Sequence, residues 1–433
     1  MDRPMRYGIS AAIIFAVACY GLFLSTRIWR ILPFGDQWDA VERYRLWTAG
    51  DLGLSTVLLA QHNEHRLVPT QLVFLIDFSF FKGLGAFAFV ALLLAHAALG
   101  AALGMVATRG MARPQRLLGM AFGTAFLLSP IQIENLISPF NLQWAICPLF
   151  ILAAVLALKD LPKASSSGGR VLFSLLVVVA TCAGIYSSFN GLAGAVIVAA
   201  LVSFSPIGRV MKMSLIASIG LSIIVFFIGY KLQLNDDVRA DLLTLTGIWQ
   251  FLATIPNILG APMEKLGDGG GLGFGAAGLT AWIAASLSML RRYRREDKLD
   301  PASVALWALS AMAIATAIMI AYGRSGQGVY IASRYDTWSA IFWVAILGMF
   351  WRLFEDRAPA VLGIGALLLT MSYVTGQGYA GTFRGRAELL DELTAELRSG
   401  GTPDKLRLIY PSLQGIERRI EFLRQSKLSI FAD

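Results

Sequence analysis

Long apolar runs separated by short polar gaps dominate the chain. Runs at 8–28, 85–108, 117–131, 143–158, 171–186, 191–204, 213–230, 272–290, 302–322, 338–351 and 358–375 each approach the about 20 residues that a helix needs to cross a hydrocarbon core. They predict an all-α polytopic membrane protein of about eleven transmembrane helices. Two further apolar stretches are ambiguous. One, 67–81, carries Pro69 and Asp77, and the other, 245–262, carries Pro256.

Charge bias separates the alternatives. If neither stretch crosses and the N-terminus is cytoplasmic, the cytoplasmic gaps hold 17 basic against 7 acidic residues, while the outer loops are slightly acidic. If 67–81 alone crossed, RRYRRED (291–297) would face outward, against the positive-inside bias. Both stretches are therefore expected to lie as helices in the outer interface. The same parity puts a small helical tail, 376–433, outside, behind a transmembrane unit spanning 1–375. The first outer loop, 29–84, is the longest.

Composition supports this reading. Of 433 residues, 56% are hydrophobic and 15% charged, with a mean hydropathy of +0.63, against about 25% charged in soluble domains. An ordinary cytosolic enzyme, a disordered chain and a disulfide scaffold are excluded. The net charge of +9 resides in gaps between runs, so it marks topology and not nucleic-acid binding. Cys19, Cys147 and Cys182 lie in apolar runs with no metal-type spacing. The first run lacks a small-residue cleavage site and reads as a span, not a removed signal peptide.

The candidate chemistry lies in the outer loops. Asp36 and Asp39 are three apart, which puts two carboxylates on one helix face. Such a carboxylate can take a proton from an attacking hydroxyl, although Asp36 can equally be a helix N-cap. Gln61-His62-Asn63-Glu64-His65-Arg66 holds two of the three histidines. Histidine serves as acid, base, phosphate donor or metal ligand, and the arginine fork matches phosphate oxygens. The same run also reads as a solvated anchor or a divalent-metal site. Glu134, Asn141, Asn190, Arg324, Arg334 and Tyr335 sit at other outer edges. Arg324 and Arg334 suit an anionic headgroup or interface snorkelling. Gly267–Gly273 reads as a hinge before the next span, and His96 as a packing histidine.

The first 110 residues resemble the GT-C superfamily of membrane glycosyltransferases. The resembling order is a first span, an acidic residue just outside it (Asp36 or Asp39), a helix ending in Ala49-Gly50-Asp51, the polar run Gln61–Arg66, an interfacial helix beginning near Pro69, and a second span near Gly85. The resemblance implies a polyprenyl-phosphate sugar donor, a glycan, lipid or protein acceptor, and a place in a bacterial cytoplasmic membrane. It gives Asp36 the role of base, with Asp39 as alternate, and puts Arg324 or Arg334 at the donor phosphate. Arg66, His62, His65 and Tyr335 are further phosphate candidates. Trp38, Glu64, Asn141 and Asn190 are the acceptor candidates. No cofactor is expected beyond a possible divalent metal. A transporter or flippase, a histidine-based acyltransferase and a non-catalytic assembly partner are the alternatives.

Overall fold

In the computed structural model, α1 (Arg3–Ile28) leads into a loop that carries α2 (Gln37–Thr48), α3 (Leu54–Leu59), the strands β1 (Gln61–His62) and β2 (His65–Arg66), and α4 (Val68–Phe80). Next come α5 (Ala86–Ala107), α6 (Arg113–Leu127), α7 (Ile133–Ile137), α8 (Leu142–Asp160), α9 (Ser167–Ile185), α10 (Gly191–Phe204) and α11 (Arg209–Phe227). The chain continues through α12 (Leu245–Leu259), α13 (Gly270–Glu296), α14 (Pro301–Arg324), α15 (Asp336–Leu353), α16 (Ala358–Arg398) and α17 (Leu413–Gln425). The structure describes all residues except 1–2, 233–238, 267–268, 297–298, 329–331, 355–357, 402–403, 411–412 and 433. Gly267 and Asp268 of the expected hinge, Lys298, Arg357 and Pro411-Ser412 lie outside the described residues.

The protein is an all-α polytopic membrane protein apart from one small hairpin. Among the described residues, nine helices are long and apolar enough to cross a membrane. Two of the expected spans are helices outside that set. At 14 residues, α10 is about 21 Å long, short of the about 30 Å core. Helix α15 carries Asp336 and Arg352 at its ends and is buried along nearly its whole length. The two ambiguous stretches form α4 and α12, of 13 and 15 residues, both too short to span. Asp77 on α4 has a structural reason to be there. Its carboxylate accepts from the N–H of Gly85 at 2.8 Å and of Phe87 at 3.1 Å, capping the otherwise unsatisfied start of α5.

Close backbone packing organises the bundle. Gly100 and Gly104 of α5 meet Gly123 and Gly119 of α6, and a Cβ on any of the four would collide with the facing helix. Two Gly-x-x-x-Gly faces thus let the backbones touch, where lipid gives no hydrophobic drive for helix association. Gly270–Gly273, expected as hinge, form the first turn of α13.

Helix α16 runs unbroken for 41 residues, through position 375 where the sequence suggested a boundary. Its far end and α17 join the first loop in one apolar core. Trp38, Val41 and Phe78 pack there with Leu393, Ile416 and Leu423. The loop and the tail are one folded unit.

Candidate active site

The turn before α2 decides where the first carboxylate points. Gly35 has φ +56°, which glycine adopts without strain, and its N–H donates to Ile409 O at 2.9 Å. Asp36 follows with helical angles and makes no side-chain cap bond. The capping role left open by the sequence is not taken. Its Oδ2 instead faces His62 Nε2 at 3.6 Å. One turn later, Asp39 Oδ2 faces His62 Nδ1 at 3.3 Å. The three-residue spacing does put both carboxylates on one face, and one imidazole bridges them. Helix α2 then ends at Thr48, and Gly50 leaves it with φ +80°.

His62 is delivered by a tight antiparallel hairpin in which His62 pairs with His65 and Gln61 with Arg66. Asn63 takes φ +48° at the turn, a conformation asparagine tolerates. The hairpin is fixed on all sides. Arg43 of α2 donates to Ala60 O and Gln61 O at 3.3 and 3.1 Å. The Gln61 amide exchanges bonds with the Lys231 backbone, and the Tyr230 hydroxyl donates to Glu64 O at 3.1 Å.

The tail supplies the remaining partners of Asp39. The Tyr410 hydroxyl donates to Asp39 Oδ1 at 2.8 Å, and an Arg419 terminal nitrogen lies 3.2 Å from the same oxygen. The Arg419 guanidinium covers the Tyr410 ring, 4.5 Å from its centroid, and its Nε lies 3.6 Å from Glu42. Arg45 and Arg418 also bind Glu42, at 3.0 and 2.5 Å. Sequence reasoning missed all three tail residues. For Arg418 and Arg419 the only signal was the helical spacing of apolar residues in α17, and Tyr410 precedes that helix.

These contacts set the charges. Burial disfavours a charged His62, but hydrogen bonds to Asp36 and Asp39, and their charges, outweigh it and raise the imidazole from 6.5 to about 9. At neutral pH it is an imidazolium. Burial pushes Asp39 up, yet the His62 and Tyr410 bonds and the charges of His62 and Arg419 hold it below 3.8. His65 is the opposite case. Burial drives it down to about 4, and its Nδ1 accepts from the Phe189 N–H at 3.0 Å, so it is a neutral ring. Asp36 is the open member, with 58% of its side chain exposed against 26% for Asp39.

The remaining expected residues divide. Arg324 lies 3.7 Å from Glu64, and Arg334 lies 3.7 Å from Glu134 with its guanidinium over the Tyr335 ring. Both arginines are about half exposed, and the Asp36 charge acts on Arg334 and on His65. Arg66 is not free for a phosphate. It donates to Phe226 O at 2.9 Å, to Ile228 O at 2.6 Å and to Leu59 O, tying the hairpin to the end of α11. Trp38, expected at the acceptor, is completely buried in the loop–tail core. Asn141, Asn190 and Tyr335 are buried too, and Asn141 donates to Glu134 O at 3.4 Å.

Asp36, Asp39 and His62 could hold a divalent ion, since their donor atoms lie within 4.8 Å of one another. The ring faces one nitrogen to each carboxylate, so a single ion would meet one nitrogen only and would have to displace the proton on that nitrogen. A cleft of about 910 Å³ between α1, α5 and α6 is lined by Ile14, Phe15, Leu117, Leu118 and other residues, none titratable. The chemistry is not there. No family model, curated protein or solved structure matches the chain.

Proposed function

We propose that the protein is a membrane glycosyltransferase that moves a sugar from a polyprenyl-phosphate donor to an acceptor hydroxyl on the extracytoplasmic side. The observation that carries this reading is the exposed Asp36 carboxylate, bridged through a protonated His62 to a braced Asp39, with its charge acting on half-exposed Arg334. The excess of 17 basic over 7 acidic residues in the short gaps favours a cytoplasmic N-terminus, which puts this end of the bundle outside. The bacterial inner membrane belongs to the same proposal, as does the eleven-helix count, in which α10 and α15 cross although they fall outside the nine long apolar helices.

Asp36 takes the acceptor proton as the acceptor oxygen attacks the anomeric carbon. The new carbon–oxygen bond forms while the carbon–phosphate oxygen bond breaks, so the anomeric centre inverts and polyprenyl phosphate leaves. His62 and Arg419 offset the charge of Asp39, so Asp36 is the carboxylate left to take the proton. Asp39 is tied on both oxygens and therefore serves to hold His62. Arg324 and Arg334 stabilise charge on the leaving phosphate, as oxyanion donors do.

The test is sugar transfer in membranes supplied with lipid-linked sugar. Asp36→Asn should lower kcat by about 10²–10⁴-fold, the usual contribution of a general base, and Asp39→Asn by less. Full turnover in both variants would remove the base. Translocation of the lipid-linked sugar with no covalent product would put a transporter in its place.

A further inference from the structure

The cleft between α1, α5 and α6 lies at the end of the bundle away from Asp36. Its α1 wall runs from Ala11 to Ala18. About 15 Å of helix then separates Ala18 from the end of α1 at Ile28, ahead of Asp36. Its α6 wall runs from Pro114 to Thr124, also about 15 Å, which is half of the about 30 Å hydrocarbon core. Phe15 and Leu117 line the cleft and are exposed, so it opens sideways, where a bilayer surrounds the bundle. Its volume of about 910 Å³ is that of a site for a sizeable ligand.

Hydrocarbon is as apolar as these walls, so a lipid chain gains little by leaving the bilayer for them. Selectivity has to come from the mouth. There Arg113 and Arg116 flank Pro114 and Gln115, and both arginines are exposed. Among the described residues neither side chain has a hydrogen bond, an ion pair or a ring contact. Helix α6 itself does not favour them, because its first turn holds no acidic residue and its own positive end repels cations. Two basic residues in other gaps of the same end are neutralised within the protein. Arg352 is 2.5 Å from Asp300, and Lys163 is 2.9 Å from Asp160.

We propose that the cleft holds one anionic phospholipid, its acyl chain between α1 and α6 and its phosphate against Arg113 and Arg116. A depth of half the core suits a lipid of the leaflet at that end, which the charge bias makes the cytoplasmic one. Basic pockets between helices on that side of a membrane take anionic headgroups. The site is independent of the proposed sugar transfer, whose donor phosphate lies at the opposite end.

The experiment titrates the delipidated full chain in detergent with phosphatidylglycerol or phosphatidylcholine of identical acyl chains, and native mass spectrometry reads the first lipid bound. The wild type should prefer phosphatidylglycerol by about tenfold or more. Arg113→Gln or Arg116→Gln should each weaken its binding about fivefold, the usual effect of one basic residue near an anionic lipid. The double variant should bind both lipids alike, with the melting temperature of the lipid-free protein unchanged. Ala121→Trp, which fills the cleft from an exposed lining position, should weaken both lipids. Arg294→Gln with Arg295→Gln, exposed at the end of α13, should keep the preference. A preference that survives the double Arg113 and Arg116 variant, or is lost equally with Arg294 and Arg295, overturns the site. So does unchanged phosphatidylglycerol binding by Ala121→Trp. Displacement of phosphatidylglycerol by equimolar polyprenyl phosphate overturns it in favour of the donor's tail.

Discussion

His62 Nδ1 lies 3.3 Å from Asp39 Oδ2, on the opposite side of the ring from Asp36. A histidine between two carboxylates, itself buried, keeps its proton far above the usual range. The fold raises it from 6.5 to about 9. Stability linked to that proton is fully present below pH 6.5 and is lost as pH rises through about 9. It amounts to about 3 kcal/mol. Melting temperature should therefore fall along this window, and His62→Gln should flatten the slope. Matching wild-type and variant curves would remove His62 as the bridge. Asp39 reports the same bond from the other side. It is held below 3.8, so its share is lost on acidification.

Tyr410 and Arg419 orient Asp39 and touch no substrate in the proposed reaction. Tyr410→Phe removes one hydrogen bond, worth about 1 kcal/mol, and should lower kcat several-fold while leaving the donor KM unchanged. Its alkaline limb should also move to lower pH, because a loosened Asp39 holds the imidazolium less firmly. Arg419→Met leaves Asp39 and Glu42 short of a cation and should cost more. A pH–rate profile for each variant gives the answer. An unmoved limb would make both residues merely structural.

Arg66 separates architecture from binding. Its bonds to Phe226 O, Ile228 O and Leu59 O hold the hairpin. Arg66→Ala should lower stability by about 1.5–3 kcal/mol, the range for hydrogen bonds to a charged group. The melting temperature of the purified protein measures this. A raised donor KM with unchanged melting would return Arg66 to the phosphate.

Asp77→Ala uncaps α5 and should cost about 0.5–2 kcal/mol. Denaturation in detergent measures it. No loss would mean that the Gly85 and Phe87 N–H groups find other partners.

How far the sequence could go is clear from particular residues. Apolar runs fix helices locally, so α1, α5, α8 and α14 lie where expected. The Asp36–Asp39 spacing and the His62–Arg66 run were legible because the first is a helical repeat and the second an unusual block of polar residues. The hairpin was not, since two-residue strands are too short to show alternation. Tyr410 lies 371 residues from Asp39, and periodicity carries no information over that distance. Arg66 was misplaced because its fork suits carbonyl oxygens as well as phosphate. Trp38 was misplaced because nothing in the loop announces that a tail will cover it.

The shared core has a consequence for how the protein is made. Trp38 and Val41 leave the ribosome early, but Ile416 and Leu423, which cover them, are translated after the entire helical bundle. Until then the amino-terminal segment waits with its apolar side bare. Asp39 lacks Tyr410 and Arg419 for the same interval, so nascent chains carry the cluster in an unbraced form and acquire its final geometry only when α17 docks.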